Sequence, residues 1–185
     1  MKAHSFIYLI IYSCFIMSVS LQAQEHFADR YNVSYITMDD GLPHNFIDDI
    51  YKDTRGFLWI STAGGGLSRY DGYEFIHFNP NTPHSKLKSN FIHNVYEDRF
   101  HRLWIVSEGG TDIIDLSTLQ SVIPNDPKGL LPRFINHPTY IVILDSQGCI
   151  WLQCDNALHR ITFDAEGGID TLYRVSQGHC CPLLP

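Results

Sequence analysis

The chain has 185 residues, of which 44% are hydrophobic and 18% charged, an ordinary globular balance that excludes a disordered or fibrous protein. Its formal net charge of −7 favours solubility and leaves no basic footprint of the kind that nucleic acid requires. Aromatic residues are abundant at 13% and fall largely in short β-type runs.

The first 23 residues read as a secretory signal peptide. Lys2 gives a positive start, Phe6 to Leu21 is apolar apart from small hydroxyl residues, and Leu21-Gln22-Ala23 offers a small residue for cleavage before Gln24. The apolar run is shorter than the ~20 residues that span a bilayer. Residues 24–44 are expected to supply an N-terminal strand and linker. Tyr31, Val33 and Tyr35 alternate with polar neighbours, and Asp39-Asp40-Gly41-Leu42-Pro43 is a turn cluster. A lone leading strand suits a ring that closes by pairing it into the last unit.

A repeat follows. The three tryptophans, Trp59, Trp104 and Trp151, are 45 and 47 residues apart, and each sits in a strand-like run. A period of about 40–50 residues with four strands per unit marks a β-propeller blade. Blade 1 is expected over 45–78, blade 2 with its lead-in loop over 79–123, and blade 3 with its lead-in loop over 124–175. Blade 1 contains runs at 46–51, 57–62, 67–70 and 73–78, with Asp71-Gly72 predicting a type I′ hairpin between the last two. Blade 2 matches it residue for residue: Leu42 with Leu87, Asn45 with Asn90, Phe46 with Phe91, Asp53 with Asp98 and Leu58 with Leu103. After a one-residue deletion, Tyr70-Asp71 falls on Ile114-Asp115, Ser117-Thr118 makes the hairpin, and Leu119 to Ile123 is the fourth strand. Blade 3 is looser, with runs at 140–144, 149–154, 158–162 and 169–175. The tail, 176–185, shows no strand pattern and is expected to be irregular. The fold class is therefore all-β, about three four-stranded antiparallel blades of an incomplete propeller.

The repeated residues have structural work to do. The tryptophans are expected to fill the space between blades. Asp53, Asp98 and Asp145 precede the first hairpin of each blade, where an aspartate bonds the backbone of its own turn. Gly56 and Gly148 take the positive-φ position there, and His101 replaces glycine in blade 2. Export permits disulfides, but Cys149 and Cys154 are an odd number apart in a strand, and Cys180-Cys181 is an adjacent pair. No metal spacing is present: His93 and His101 lack a third ligand, and His179-Cys180-Cys181 is not a structural zinc pattern. Gly64-Gly65-Gly66 has no following Lys-Ser/Thr and so no phosphate-cradling pattern. Asp48-Asp49 is not an acid pair if adjacent strand residues face opposite ways. No cofactor is predicted, and no enzyme site with convergent roles can be assembled.

The run Leu58-Trp59-Ile60-Ser61-Thr62, followed by Gly66-Leu67-Ser68-Arg69-Tyr70-Asp71-Gly72-Tyr73-Glu74-Phe75, resembles the two-component regulator propeller repeat. The Asp40-Gly41-Leu42-Pro43 lead-in is similar too. Asn90 to Gly110 repeats the pattern, and Cys149 to Leu158 echoes it with Asn156-Ala157-Leu158 in place of Gly-Leu. The resemblance implies the periplasmic sensor region of a two-component, often hybrid, sensor histidine kinase that responds to oligosaccharides and is anchored in the inner membrane. It implies further blades and a homodimer as partners of the parent protein. No phosphoacceptor, ATP-binding or receiver region is present, so the chain itself is read as an N-terminal, non-enzymatic fragment. The alternatives are a secreted binding propeller unconnected to a kinase and, less favoured, a propeller lyase or glycosidase.

Any ligand is expected on the end formed by the second-to-third-strand loops and the blade-to-blade loops. The residues there are His44, Asn45, Asn90, Glu108, Asp155 and Asn156, against the plain alternative of loop solvation and turn bonding. An oligosaccharide or other small molecule is the expected ligand.

Overall fold

A computed structural model describes residues 33–83, 86–154, 157–176 and 179–182; the expected signal peptide lies outside them. Blade 1 contains β1 (Ile47–Lys52), β2 (Leu58–Thr62), β3 (Gly66–Tyr70) and β4 (Phe75–Phe78), antiparallel and in sequence order. Blade 2 contains β5 (Ile92–Glu97), β6 (Arg102–Ser107) and β7 (Gly110–Asp115). A short helix, α1 (Pro132–Ile135), leads into blade 3. Blade 3 contains β8 (Thr139–Leu144), β9 (Ile150–Cys154), β10 (Ala157–Phe163), β11 (Ile169–Ser176) and β12 (His179–Pro182), ordered β12-β11-β10-β9-β8. The fold is all-β, built of antiparallel propeller blades. Among the described residues, no helix is long and apolar enough to cross a membrane.

Four details differ from the sequence reading. Residues 33–37 form no strand. Thr37 instead starts a 3-10 turn, Met38–Asp40, in which the Asp40 carboxylate accepts the Thr37 N–H at 2.8 Å and Gly41 ends the turn at φ 109. The expected strand of Leu119 to Ile123 is reduced to one bridge, Ile114 with Ser121. Leu119 is driven to φ 58, and beyond Val122 the chain leaves for blade 3, where Asn125 O accepts the Ile169 N–H at 2.7 Å. The tail is not wholly irregular, since β12 pairs with β11 from Tyr173–Pro182 to Ser176–His179. Four residues are too few for a side-chain period to show. The Asp71-Gly72 hairpin is not type I′: Gly72 has φ 105, but Asp71 stays at negative φ and its carboxylate accepts the N–H groups of Tyr73 and Glu74.

The apolar side chains form two clusters, one at each blade junction, rather than one central core. Trp59, Leu67 and Phe78 of blade 1 meet Ile92, Val95, Leu103, Ile105 and Ile114 of blade 2. Trp104, Val106 and Ile113 of blade 2 meet Val142, Ile150, Leu152 and Ile161 of blade 3, with Leu130, Leu131 and Phe134 of the lead-in segment. Strand β6 shows why. Its alternate residues serve different clusters, Leu103 and Ile105 toward blade 1 and Trp104 and Val106 toward blade 3, so all six of its residues are buried. Strand β9 has a neighbour on one face and alternates buried with half-buried. The same contrast separates Val95 and Val142, both buried, from Ile50 at the matching place in blade 1, which is 60% exposed.

Polar side chains close the same junctions. The Thr54 N–H and hydroxyl of blade 1 donate to Glu97 of blade 2 at 2.7 and 2.6 Å. Arg55 donates to Leu116 O. Arg102 reaches Gly167 O in blade 3 at 2.7 Å, and Arg99 reaches Phe163 O and Asp164 O, both at 3.2 Å. Burial pushes the Glu97 carboxyl up, but the Thr54 hydroxyl, the His101 ring and the Thr54 N–H outweigh it, and its pKa is held below the ordinary carboxylate value.

The first strand of every blade carries a bulge at one place. The β1–β2 register slips between Ile47 and Asp49, the β5–β6 register between Ile92 and Asn94, and the β8–β9 register between Thr139 and Ile141. Each slip leaves one extra residue: Asp48, His93 and Tyr140. The following residue links blades. Asp49 Oδ2 accepts from Asn94 Nδ2 at 2.9 Å and from the Val95 N–H at 3.0 Å, and Asn94 Oδ1 accepts the Val142 N–H at 3.1 Å.

Candidate functional site

The first-hairpin aspartate is the fixed point of each blade. Asp53 Oδ1 accepts the N–H groups of Arg55 and Phe57, and its Oδ2 accepts the indole N–H of Trp59 at 2.8 Å. Asp98 does the same for Phe100, Arg102 and Trp104, and Asp145 for Gln147, Cys149 and Trp151. Each carboxylate thus accepts two backbone N–H groups and one indole N–H, which accounts for its place in the turn. For Asp145, burial acts upward, but the N–H of Cys149, the Trp151 indole, the N–H of Gln147 and Arg160 overcome it, and the pKa falls to about 2. The turns have φ 94 at Gly56, 58 at His101 and 77 at Gly148. His101, in that strained place, spans to Glu97 Oε1 at 2.9 Å through Nδ1.

The opposite end of the blades holds the loops where a ligand was expected. His44 Nδ1 accepts the Phe46 N–H at 3.0 Å, and Asn45 Oδ1 accepts the Met38 N–H at 3.0 Å. Both shape the lead-in loop while remaining exposed. Asn90 O accepts the Gly66 N–H at 3.0 Å, tying blade 2 to the β2–β3 loop of blade 1, and Asn90 Oδ1 is buried without a partner. Glu108 is exposed, and its N–H donates to Phe91 O at 3.3 Å. Asp155 and Asn156 lie outside the described residues. The backbone thus brings Asn90 beside the blade 1 loop and Glu108 beside Phe91.

Sequence reasoning missed the bulges. It treated Asp48 and Asp49 as alternating strand residues, yet the register slip interrupts the alternation there. Asp49 is bound to blade 2, whereas Asp48 is exposed. His93 and Tyr140 hold the equivalent places, their ring centroids 5.2 Å apart, and His93 Nε2 is buried without a partner. Two phenyl rings precede the bulges, Phe46 (63% exposed) and Phe91 (51% exposed), and Phe91 lies over Gly64 of the blade 1 loop. No local sequence signal marks a bulge here, because the slip is set by pairing with the second strand. Among the described residues, no group of three or more His, Cys, Asp or Glu side chains is placed to hold a metal ion.

Comparison with known proteins agrees with this architecture. The model of the family described as two component regulator propeller matches residues 41–64 and 86–109. No curated protein matches the chain. Among solved structures, the extracellular domain of BT4673 from B. thetaiotaomicron, described as a one component system, is similar over 83% of this chain at 18% identity, with a TM-score of 0.55. The extracellular domain of the hybrid two component system BT3049 from the same organism is similar over 78% of this chain at 20% identity, also with a TM-score of 0.55. The chain spans 27% and 18% of the length of those two structures. The two matched segments carry Trp59 and Trp104, so these two stretches are similar to the two component regulator propeller repeat.

Proposed function

We propose that the chain is part of the extracellular, ligand-sensing propeller of a two-component sensor, in a parent protein anchored in the inner membrane and carrying a histidine kinase. The observation that carries this reading is the family match on two consecutive repeats, with both matched segments on the expected loop end and second strands of blades 1 and 2. The repeat is of sensor type rather than catalytic, and the turn aspartates hold their own hairpins and tryptophans. In this reading residues 1–23 direct export to the periplasm. An oligosaccharide-type ligand meets the loop end that carries His44, Asn45, Asn90 and Glu108; Asp155 and Asn156 of the same expected set lie outside the described residues.

Two measurements test it. Intact mass of the protein from a periplasmic fraction should begin at Gln24; retention of residues 1–23 would remove the export element. Melting of the exported protein should shift upward in the presence of at least one oligosaccharide from a panel of glucan, xylan and pectin fragments. No shift with any of them would overturn the sugar-sensing reading.

A further inference from the structure

Blade 2 lacks most of its fourth strand, and the gap is left partly open. In blade 1, β4 pairs along β3 from Tyr70–Phe75 to Leu67–Phe78, and Phe78 is buried. In blade 2 only Ile114 bridges Ser121; the Val122 N–H reaches Ile113 O at 2.9 Å, and the chain then departs. Thr111, the counterpart of Leu67, has no strand on its outer side, and its carbonyl accepts the Lys88 ammonium at 2.6 Å instead. Along this part of β7 lies a cavity of about 240 Å³. Ile113, Val122 and Ile135 form its apolar wall, and Ile123, 76% exposed, stands at its rim.

Three charged side chains line the same cavity: Lys86, Lys88 and Asp112. Lys88 and Asp112 pair at 3.3 Å, and Asp112 Oδ2 also accepts the Lys88 N–H at 2.9 Å. Among the described residues, no carboxylate pairs with the exposed Lys86. Two ammonium groups against one carboxylate leave a single positive charge beside an apolar wall, on a chain whose net charge is −7.

We propose that this cavity is a binding site for a small organic anion, a carboxylate carried on one ring or a short aliphatic chain, with the carboxylate at Lys86 and the apolar body against Ile113, Val122 and Ile135. Size, wall and charge each narrow the class. An apolar cavity of about 150 Å³ is enough for benzene, so this one holds a ring with a short arm and no polymer. The apolar wall rewards a body that sheds water, whereas a hydroxylated ring would bury hydroxyl groups without partners there. The unpaired ammonium attracts a carboxylate and repels a cation. The cavity sits at the edge of the sheet farthest from β5, and it shares no residue with the loop set of the sensor reading.

Ligand-observed NMR titration of the full-length chain with phenylacetate, indole-3-acetate and hexanoate, each beside its uncharged amide, tests the site. At least one acid should bind about tenfold or more tightly than its amide. Lys86→Gln removes the ammonium, and Ile123→Asp places a carboxylate on the rim; each should weaken that acid by about tenfold. Both positions are exposed, and unchanged melting temperatures would verify that the variants fold. An amide that binds as tightly as its acid would overturn the charge argument. An acid that binds both variants as well as the unaltered chain would place its site elsewhere and overturn the proposal. Absence of binding by all three acids would overturn it as well.

Discussion

Asp53 Oδ2 accepts the indole N–H of Trp59 at 2.8 Å, six residues along the chain, while Oδ1 of the same carboxylate holds two backbone N–H groups of the turn between them. One side chain therefore fixes both the hairpin and the tryptophan that fills the junction with blade 2. The pair recurs as Asp98–Trp104 and Asp145–Trp151 at 2.8 and 2.9 Å. Trp59 and Trp104 are fully buried, whereas Trp151 is only partly covered and has Arg160 over its ring.

That difference predicts unequal costs. Trp59→Ala and Trp104→Ala should each lose about 3–5 kcal/mol, the usual penalty for a large aromatic cut from a core. Trp151→Ala should lose distinctly less. Asp53→Ala leaves a buried indole N–H and two turn N–H groups without acceptors, and each orphaned group costs about 1–3 kcal/mol. Urea denaturation of the four variants measures all of this, and equal losses at Trp59 and Trp151 would contradict the assignment of their environments.

The glycines that open β3 and β7 are predicted to be irreplaceable for a geometric reason. A Cβ on Gly66 would lie 2.4 Å from Phe78 O, and one on Gly110 would lie 2.2 Å from Ile135 O, both at positive φ. Gly56 and Gly72 also have positive φ, but a Cβ there meets nothing within 4 Å. Alanine at Gly56 or Gly72 should cost about 1–2 kcal/mol of backbone strain. Alanine at Gly66 or Gly110 adds a backbone clash and should exceed the usual range of about 0.5–3 kcal/mol for single substitutions. Thermal melts of the four alanine variants would show the two classes.

The lowered carboxyls predict an acid limb of stability. A group whose folded pKa is depressed contributes stability that is complete above its unfolded pKa and is lost as pH falls through the folded one. For Asp145 the unfolded value is 3.8 and the folded value about 2, so its contribution disappears across that interval. Glu97 is lowered from 4.5 and acts in the same direction at the junction of blades 1 and 2. The melting-temperature gap between the unaltered protein and Asp145→Asn or Glu97→Gln should be constant near neutrality and shrink on acidification. A gap that widens on acidification would show that these carboxylates are not stabilised in the folded state.

The outermost sheet faces should associate. Ile50 is 60% exposed on blade 1 and Ile143 is 49% exposed on blade 3, where the matching residues of blade 2, Val95 and Tyr96, are buried and half-buried. Apolar sheet faces of this kind invite pairing between molecules. Light scattering of the chain purified alone should therefore report oligomers, and Ile50→Lys with Ile143→Lys should reduce them. A monomer with a sharp melt would mean that the three blades are self-sufficient.

Much of the scaffold was legible in the sequence because each blade repeats its own punctuation. The tryptophan spacing, the aspartate before each first hairpin and the offset between Leu58 and Leu103 located the first three strands of every blade. Strand pairing agrees with that offset, since Tyr70 faces Leu58 and Ile114 faces Leu103. What escaped was decided by tertiary pairing. Of the expected leading strand, Tyr31 and the residues before it lie outside the described residues, and residues 33–37 form no strand. The fourth strand of blade 2 gave way because its chain is drawn to Ile169 of blade 3. The tail strand, four residues long, is too short for a side-chain period to show. His44 and Asn45 lie in the lead-in loop before β1, and their bonds to Phe46 and Met38 could not be read from spacing. The bulges were invisible because a register slip is a property of two strands, not one.

The central claim is that this propeller binds a saccharide and does no chemistry on it. The most direct measurement is calorimetry of the exported protein with a bound oligosaccharide, followed by mass analysis of the sugar recovered after prolonged incubation. The account predicts saturable heat and a sugar recovered at its original mass. A shortened or unsaturated product that disappears on substitution of a single carboxylate would contradict it.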